Sequence, residues 1–287
     1  MNGILIVNKH KGCTSHDIVY KVKKICNEKV GHTGTLDPMA TGVLPLLIGK
    51  GTLCSKYLIN HDKIYRATIQ LGIETDSLDA EGTIVDTKEV SGEMLNEEYI
   101  INILNTFLGK QEQVPPMYSA IKINGKKLYQ YAREGKTVEV TPRNIEIYNI
   151  KLLQIDKEKK QIKYKVHCSK GTYIRSLCSD ISKKIGTIGH MIELQRVQVG
   201  EFNISNSVTL EQIENNPTEL EKHLITIEDI FKAKESINLD NKKLQLFLNG
   251  VMLNINKEEG IYKIYNDNKF IGIGCINDNK LKRDIVL

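Results

Sequence analysis

Apolar residues recur along this 287-residue chain with two different periods, and the switches between them outline its elements. Residues 3–8 form an apolar run that predicts a strand. Ile18, Val19, Val22, Ile25 and Cys26 then repeat at helical spacing behind Ser15, a candidate helix cap. Residues 43–48 are apolar again, broken only by Pro45. From Tyr65 the period becomes two. Tyr65, Ala67, Ile69 and Leu71 alternate with Arg66, Thr68 and Gln70, which predicts a half-buried strand with Tyr65 on its apolar side. Asn96 opens a helix carrying Ile100, Ile103, Leu104, Phe107 and Leu108 on one stripe, which Gly109 stops. Ile162, Tyr164, Val166 and Cys168 alternate as another strand, and Lys170-Gly171 turns the chain. A helix follows, with Ile174, Leu177, Cys178, Ile181 and Ile185 on its buried stripe, so Tyr173 and Arg175 fall at the mouth of a strand-to-helix turn.

Strands that alternate, rather than run uniformly apolar, argue for an antiparallel or mixed sheet with helices packed against it, an α+β architecture. No internal repeat and no dinucleotide-binding glycine fingerprint interrupts the pattern. Residues 232–236 are a polar stretch suited to a linker. Beyond it, short strand-like runs at residues 244–247, 251–253, 261–264 and 270–275, separated by Asn, Gly and Asp turns, predict a small β-rich module. The expected division is residues 1–231 as a main domain and residues 237–287 as a second.

A chain of this length can bury a full core without staples. The net charge of +5 permits an anionic partner without demanding one. Its distribution says more. Residues 74–98 hold nine acidic side chains against Lys88 alone, whereas residues 113–133 hold none and interleave Lys122, Lys126, Lys127 and Arg133 with Tyr118, Tyr129 and Tyr131. Such interleaving suits phosphate contact with base stacking, and equally suits a solvated loop with its tyrosines tucked inward. The six cysteines show neither a CxxC pair nor zinc-ligand spacing, which points to reduced thiols and a cytoplasmic setting. No apolar run approaches the ~18 residues needed to span a bilayer, and no basic-then-apolar leader opens the chain, so neither membrane insertion nor secretion is expected.

The most pointed chemistry lies in residues 31–45, where Asp37 sits among glycines, hydroxyls and Pro38 with an apolar run behind it. Pro38 pushes Asp37 out of the helical region, and the glycines allow close approach of another molecule. An ordinary Asx-type turn would use the same residues. An ionised carboxylate on a shaped loop is also a nucleophile. Hydrolytic glycosidases require two carboxyls about 5–10 Å apart, and no second acid accompanies Asp37 in its motif; Asp76 and Asp79 are candidates elsewhere.

The string GHTGTLDPMATGVLPLLIG resembles the active-site signature of the TruB family, the bacterial tRNA pseudouridine synthases that act on uridine 55 of the T-loop. The resemblance extends in order through GILIVNKHKGCTSHDIV, DKIYRATIQLGIETDSLDAEG, QVPPMYSAIKINGKKLYQYAREG, HCSKGTYIRSLCSDI and GHMIELQRVQVGEF, covering roughly the first 200 residues. It implies a pseudouridine synthase fold followed by a PUA-like RNA-binding domain, with an RNA-gripping insertion at about residues 113–146. Asp37 would be the catalytic nucleophile. Arg175 would pair with it, Tyr65 would stack on the base and help remove its C5 proton, and Tyr173 and Leu194 would line the uridine pocket. His32 would help hold the T-loop open round the extruded uridine. Two positions depart from the pattern: His10 follows Lys9 where a proline is usual, and Gln195 stands before Arg196 where two arginines are common.

The resemblance further implies an isomerisation that needs neither cofactor nor metal, with tRNA as partner through its T-loop and T-stem and possibly its acceptor stem. A monomer without an obligatory protein partner is expected. Two other readings share many of these residues: a guide-RNA-dependent synthase of the dyskerin type, and a tRNA-folding RNA-binding protein without chemistry. A glycoside hydrolase, which would release free uracil, is a third.

Overall fold

The computed structural model, describing residues 1–287, is built round an 11-stranded mixed sheet. The chain lays down β1 (Gly3–Lys9), α1 (Ser15–Cys26), β2 (Val30–His32), β3 (Thr41–Ile48), β4 (Lys63–Leu71), α2 (Glu97–Asn105), β5 (Gly109–Gln113), β6 (Arg143–Asp156), β7 (Gln161–Cys168), α3 (Ile174–Ile185) and β8 (Gly189–Val199). Across the sheet the order is β1-β3-β8-β4-β7-β6-β5, and every neighbouring pair on that path is antiparallel except β3 with β8. The mixed, largely antiparallel sheet expected from the alternating strands is therefore present.

Helices α1, α2 and α3 cover one face. Ile18, Ile100, Leu104, Leu177 and Ile181 from them pack with Ile69, Tyr164 and Met191 of the strands in one core. β1 and β3 differ from the alternating strands because both their faces are buried. Leu5, Val7, Leu44 and Leu46 enter the helix-covered core, while Ile4, Ile6, Val43 and Leu47 face the other way and pack with Phe202, Phe231, Ile273 and Ile285. Two-sided burial is why these two strands read as unbroken apolar runs.

Ile273 and Ile285 belong to a second, 5-stranded sheet, whose order is Ser236–Asn238, Gly260–Asn266, Lys269–Asn277, Lys280–Val286 and Leu253–Asn254. Its other face encloses a small core of Ile237, Phe247, Ile264, Ile276 and Leu281. Between β5 and β6 the chain makes an excursion containing the hairpin of Lys122–Ile123 with Lys126–Lys127 and the short helix Leu128–Arg133.

Four local expectations are corrected. Thr14, not Ser15, caps α1, through a capping box with Asp17; Ser15 is freed to serve the neighbouring loop. The α2 stripe ends earlier than Gly109, at Asn105, where Thr106 adopts the C-cap. Residues 244–247 are not a strand but part of the helix Asn241–Leu248, because Asp240 accepts a hydrogen bond from the Lys243 N–H and nucleates the first turn. Of residues 251–253, only Leu253 is in a strand. The last strand, Lys280–Val286, was hidden by its charged outer face, with only Leu281 and Ile285 fully buried.

Where β3 and β8 pair in parallel, they run so close that only glycine fits at position 42. Its φ is 104°, and a Cβ there would lie 2.1 Å from the Arg196 carbonyl oxygen. Gly42→Ala is expected to cost about 2 kcal/mol or more and to lower the thermal midpoint by roughly 4–8 °C in scanning calorimetry. An unchanged midpoint would contradict this reading of the junction.

Candidate active site

Asp37 lies on a stretch, residues 33–40, that forms neither helix nor strand. Its shape is imposed by side chains reaching in from three elements. Lys9, the last residue of β1 and fully buried, directs its ammonium at the carbonyls of Pro38 (3.1 Å), Cys13 (2.7 Å) and His10 (3.0 Å). Burial pushes the Lys9 amine below its ordinary pKa, and the nearby negative charges of Cys13 and Asp37 oppose that shift. The ammonium thus ties the end of β1 and the turn after it to the Asp37 loop. Ser15 binds Leu36 twice, accepting from its N–H at 2.8 Å and donating to its carbonyl at 3.2 Å. Arg196, 2% exposed, donates to the carbonyls of Val43 (2.7 Å), Gly34 (3.0 Å) and Thr35 (3.5 Å). Arg196, noted in the sequence only for following Gln195 where two arginines are common, is an interior clamp on the loop.

Arg175, second residue of α3 and 7% exposed, makes the central contact. Its Nε lies 3.0 Å from Asp37 Oδ2 and its Nη2 3.3 Å from Asp37 Oδ1, the two-point grip that a planar guanidinium offers a carboxylate. Its Nη1 faces Asp79 Oδ2 at 3.4 Å and donates to the Ser77 carbonyl at 3.2 Å, and Nη2 also donates to the Tyr118 carbonyl at 2.9 Å. Of Asp76 and Asp79, the candidates for a second acid outside the Asp37 motif, the structure brings Asp79 to the other side of the same guanidinium. Asp79 is not free to act as a second catalytic acid, however. It is 5% exposed, its Oδ1 accepts from Ser77 Oγ (2.6 Å) and Glu81 N–H (3.1 Å), and its Oδ2 faces Arg175. No sequence signal separated it from the surrounding run of solvated acids.

These groups border a cavity of about 760 Å³. Five of the six site residues expected from the sequence line it: Asp37, Tyr65, Tyr173, Arg175 and Leu194. Tyr65 is buried on β4 opposite Arg196 of β8, and burial raises its phenol pKa, so it is protonated at neutral pH. Tyr173 precedes α3; its N–H donates to Gln113 Oε1 at 2.8 Å, and Gln113 Nε2 donates back to the Tyr173 carbonyl at 3.1 Å. Tyr118, Ser119, Tyr129 and Arg133 enter the lining from the excursion between β5 and β6, with the Arg133 guanidinium 5.3 Å from the Tyr129 ring centre. His32 is not brought into the lining. It lies on β2 with its Nδ1 buried and unpartnered, and burial, then the Arg196 charge, lowers its pKa and holds the ring neutral.

Burial also dominates at Asp37, raising its carboxyl above the ordinary range; Arg175 pulls the other way and Asp79 adds to the rise. No group of three or more His, Cys, Asp or Glu side chains is arranged to hold a metal ion. The chemistry available is therefore that of one partly accessible carboxylate, oriented by a guanidinium and walled by aromatic and apolar side chains.

Comparison with known proteins covers nearly the whole chain. A family model described as TruB family pseudouridylate synthase, N-terminal domain, matches residues 22–174. Models of a tRNA pseudouridylate synthase B C-terminal domain and of the C-terminal part of pseudouridine synthase II TruB match residues 175–241 and 236–283. A tRNA pseudouridine synthase B of Francisella tularensis subsp. novicida is 46% identical over 284 residues, covering 98% of this chain and 93% of that protein. That of Francisella philomiragia is 44% identical with the same coverage. Among solved structures, a Cbf5-Nop10-Gar1 complex aligns with TM-score 0.70 at 24% identity, over 99% of this chain and 83% of the other. An H/ACA RNP bound to a substrate RNA containing 2′-deoxyuridine aligns with TM-score 0.67 at 23% identity, over the same shares. At such identities the structural likeness speaks to the fold alone.

The opposed effects on Asp37 set the sign of a titration. Its carboxyl, followed by carbon-13 NMR, is expected to protonate above the ordinary ~3.9 as pH falls. Arg175→Gln removes the opposing cation, so protonation should begin at still higher pH. A midpoint that stays put or falls in the variant would refute the pairing as the source of Asp37's charge.

Proposed function

The chain belongs to the TruB family of pseudouridylate synthases, and on that footing we propose that it isomerises uridine 55 in the T-loop of tRNA, with Asp37 as the nucleophile. Pseudouridine formation in tRNA is the activity of the family to which almost its whole length is matched. The observation that carries the site assignment is the two-point Asp37–Arg175 pair inside a cavity walled by Tyr65, Tyr173 and Leu194.

The reaction breaks the bond from ribose C1′ to N1 of uracil, turns the base within the site and joins C1′ to C5. The proton leaves C5 and N1 gains one, so composition is unchanged and no redox partner is needed. The nucleophile must be ionised and aimed, whether it attacks C1′ or C6. Arg175 does both for Asp37, favouring the carboxylate against burial and fixing its plane. Tyr65, a neutral phenol on a rigid strand, is suited to stack on the uracil; its raised pKa argues against a phenolate and leaves its oxygen a weak acceptor for the C5 proton. Leu194 and Tyr173 exclude water that would otherwise divert the reaction to hydrolysis. Asp79 holds Arg175 from behind.

A uridine inside folded RNA reaches such a cavity only by leaving its stack. His32, at the base of the same loop, supports the opened T-loop in this reading, and residues 113–146 grip the RNA with Lys126, Lys127 and Arg133 beside Tyr129 and Tyr131. The protein acts as a monomer in the cytoplasm, without guide RNA or partner protein.

Nucleotide-resolution mapping of pseudouridine in a tRNA transcript incubated with the purified protein alone tests the proposal. One modified T-loop uridine is expected, with the chain intact and no uracil released. Asp37→Asn should lower conversion by about a thousandfold or more while still binding tRNA. Wild-type conversion by that variant would remove Asp37 from the mechanism, and free uracil would mark a hydrolase.

A further inference from the structure

Ser119 lines the cavity beside the Asp37–Arg175 pair, is 5% exposed, and leaves its Oγ without a hydrogen-bond partner. Three other buried serines near the site are committed. Ser15 binds Leu36, Ser77 binds Asp79, and Ser176 donates to the Val114 carbonyl at 2.9 Å. A buried hydroxyl without a partner costs stability that folding does not return, and native structures keep few such groups. An alanine would fill the same place without that cost.

The backbone at Ser119 is fixed from both sides. Its N–H donates to the Met117 carbonyl at 2.9 Å, and its own carbonyl accepts from the Tyr129 N–H at 3.1 Å. The preceding carbonyl, of Tyr118, takes the Arg175 Nη2 that also reaches Asp37. The orphan hydroxyl is therefore held one residue from a carbonyl that binds the guanidinium of the Asp37–Arg175 pair.

We propose that Ser119 is a substrate-binding residue, its hydroxyl bonding to the ribose 2′-oxygen or the uracil O4 of the target uridine when RNA fills the cavity. The inference rests on the reading of the cavity as a uridine site. It predicts an exchange of stability for affinity that a structural serine would not produce.

The test compares the full-length protein with Ser119→Ala, using an unmodified T-arm stem-loop RNA and two versions altered only at the target, 2′-deoxyuridine and 4-thiouridine. Affinity is read by fluorescence anisotropy, KM from pseudouridine formation, and the thermal midpoint without RNA. The variant is expected to raise Kd and KM together by about 3- to 10-fold, the worth of one neutral hydrogen bond, with a midpoint equal to or above that of the wild type. Its penalty in Kd should vanish with the 2′-deoxy RNA if the partner is the ribose, or with the 4-thio RNA if it is the uracil. An unchanged Kd, a lowered midpoint, or a penalty that persists with both altered RNAs would overturn the assignment. Failure of the wild type to form pseudouridine would sink the catalytic reading separately, because the anisotropy arm needs no turnover.

Discussion

One buried guanidinium organises the molecule. Arg175 binds two carboxylates and two carbonyls, from the Asp37 loop, the segment holding Ser77 and Asp79, and the excursion holding Tyr118. The Ser77–Asp79 segment touches the sheet only through the Asp79–Met191 bridge, and the Asp37 and Tyr118 segments have no strand ladder at their points of contact. A charged side chain so deeply placed is stable only because opposite charge and acceptors surround it. The converse also holds: the carboxylates are tolerable there only because of the arginine. Fold and site therefore share one electrostatic solution.

The Asp37 loop shows the same economy in a second form. Lys9 and Arg196, both buried, direct their donors mainly at backbone carbonyls rather than at acids. Carbonyl partners fix position without adding negative charge, so the loop is rigid while Asp37 is left as its only carboxylate. A nucleophile gains from rigidity and loses from extra like charge. Held by side chains rooted in β1, α1 and β8, the loop inherits the precision of the sheet although it belongs to none of its strands.

Much of this was legible in the chain. Period-two alternation located β4 and β7, and the apolar spacing located α1 and α3, because one face of each is buried and the other is not. The motif residues Asp37, Tyr65, Tyr173, Arg175 and Leu194 do converge on one cavity. What stayed hidden depends on tertiary context. The burial of Asp79 among the acids of residues 74–98, and the inward turn of Arg196, follow from neighbours far away in sequence. The helix at Asn241–Leu248 was masked because residues 244–247 alternate like a strand, and only the Asp240 cap decides otherwise. His32 matches its motif yet stands off the cavity lining, a placement no spacing could foretell.

The double-sided burial of β1 and β3 ties the two sheets to a common fate. Val43 and Leu47 back onto Ile273 and Ile285 of the second sheet, while Leu44 and Leu46, their immediate neighbours, floor the core beneath the catalytic loop. The C-terminal sheet is thus not a detachable reading head that could be exchanged between enzymes as a cassette. Any transplant would strip water-excluding cover from the back of β3, the strand that follows the Asp37 loop. Substitutions that recognise new RNA through the second sheet are free to accumulate on its outer surfaces, whereas those on its inner surface must change in step with β1 and β3.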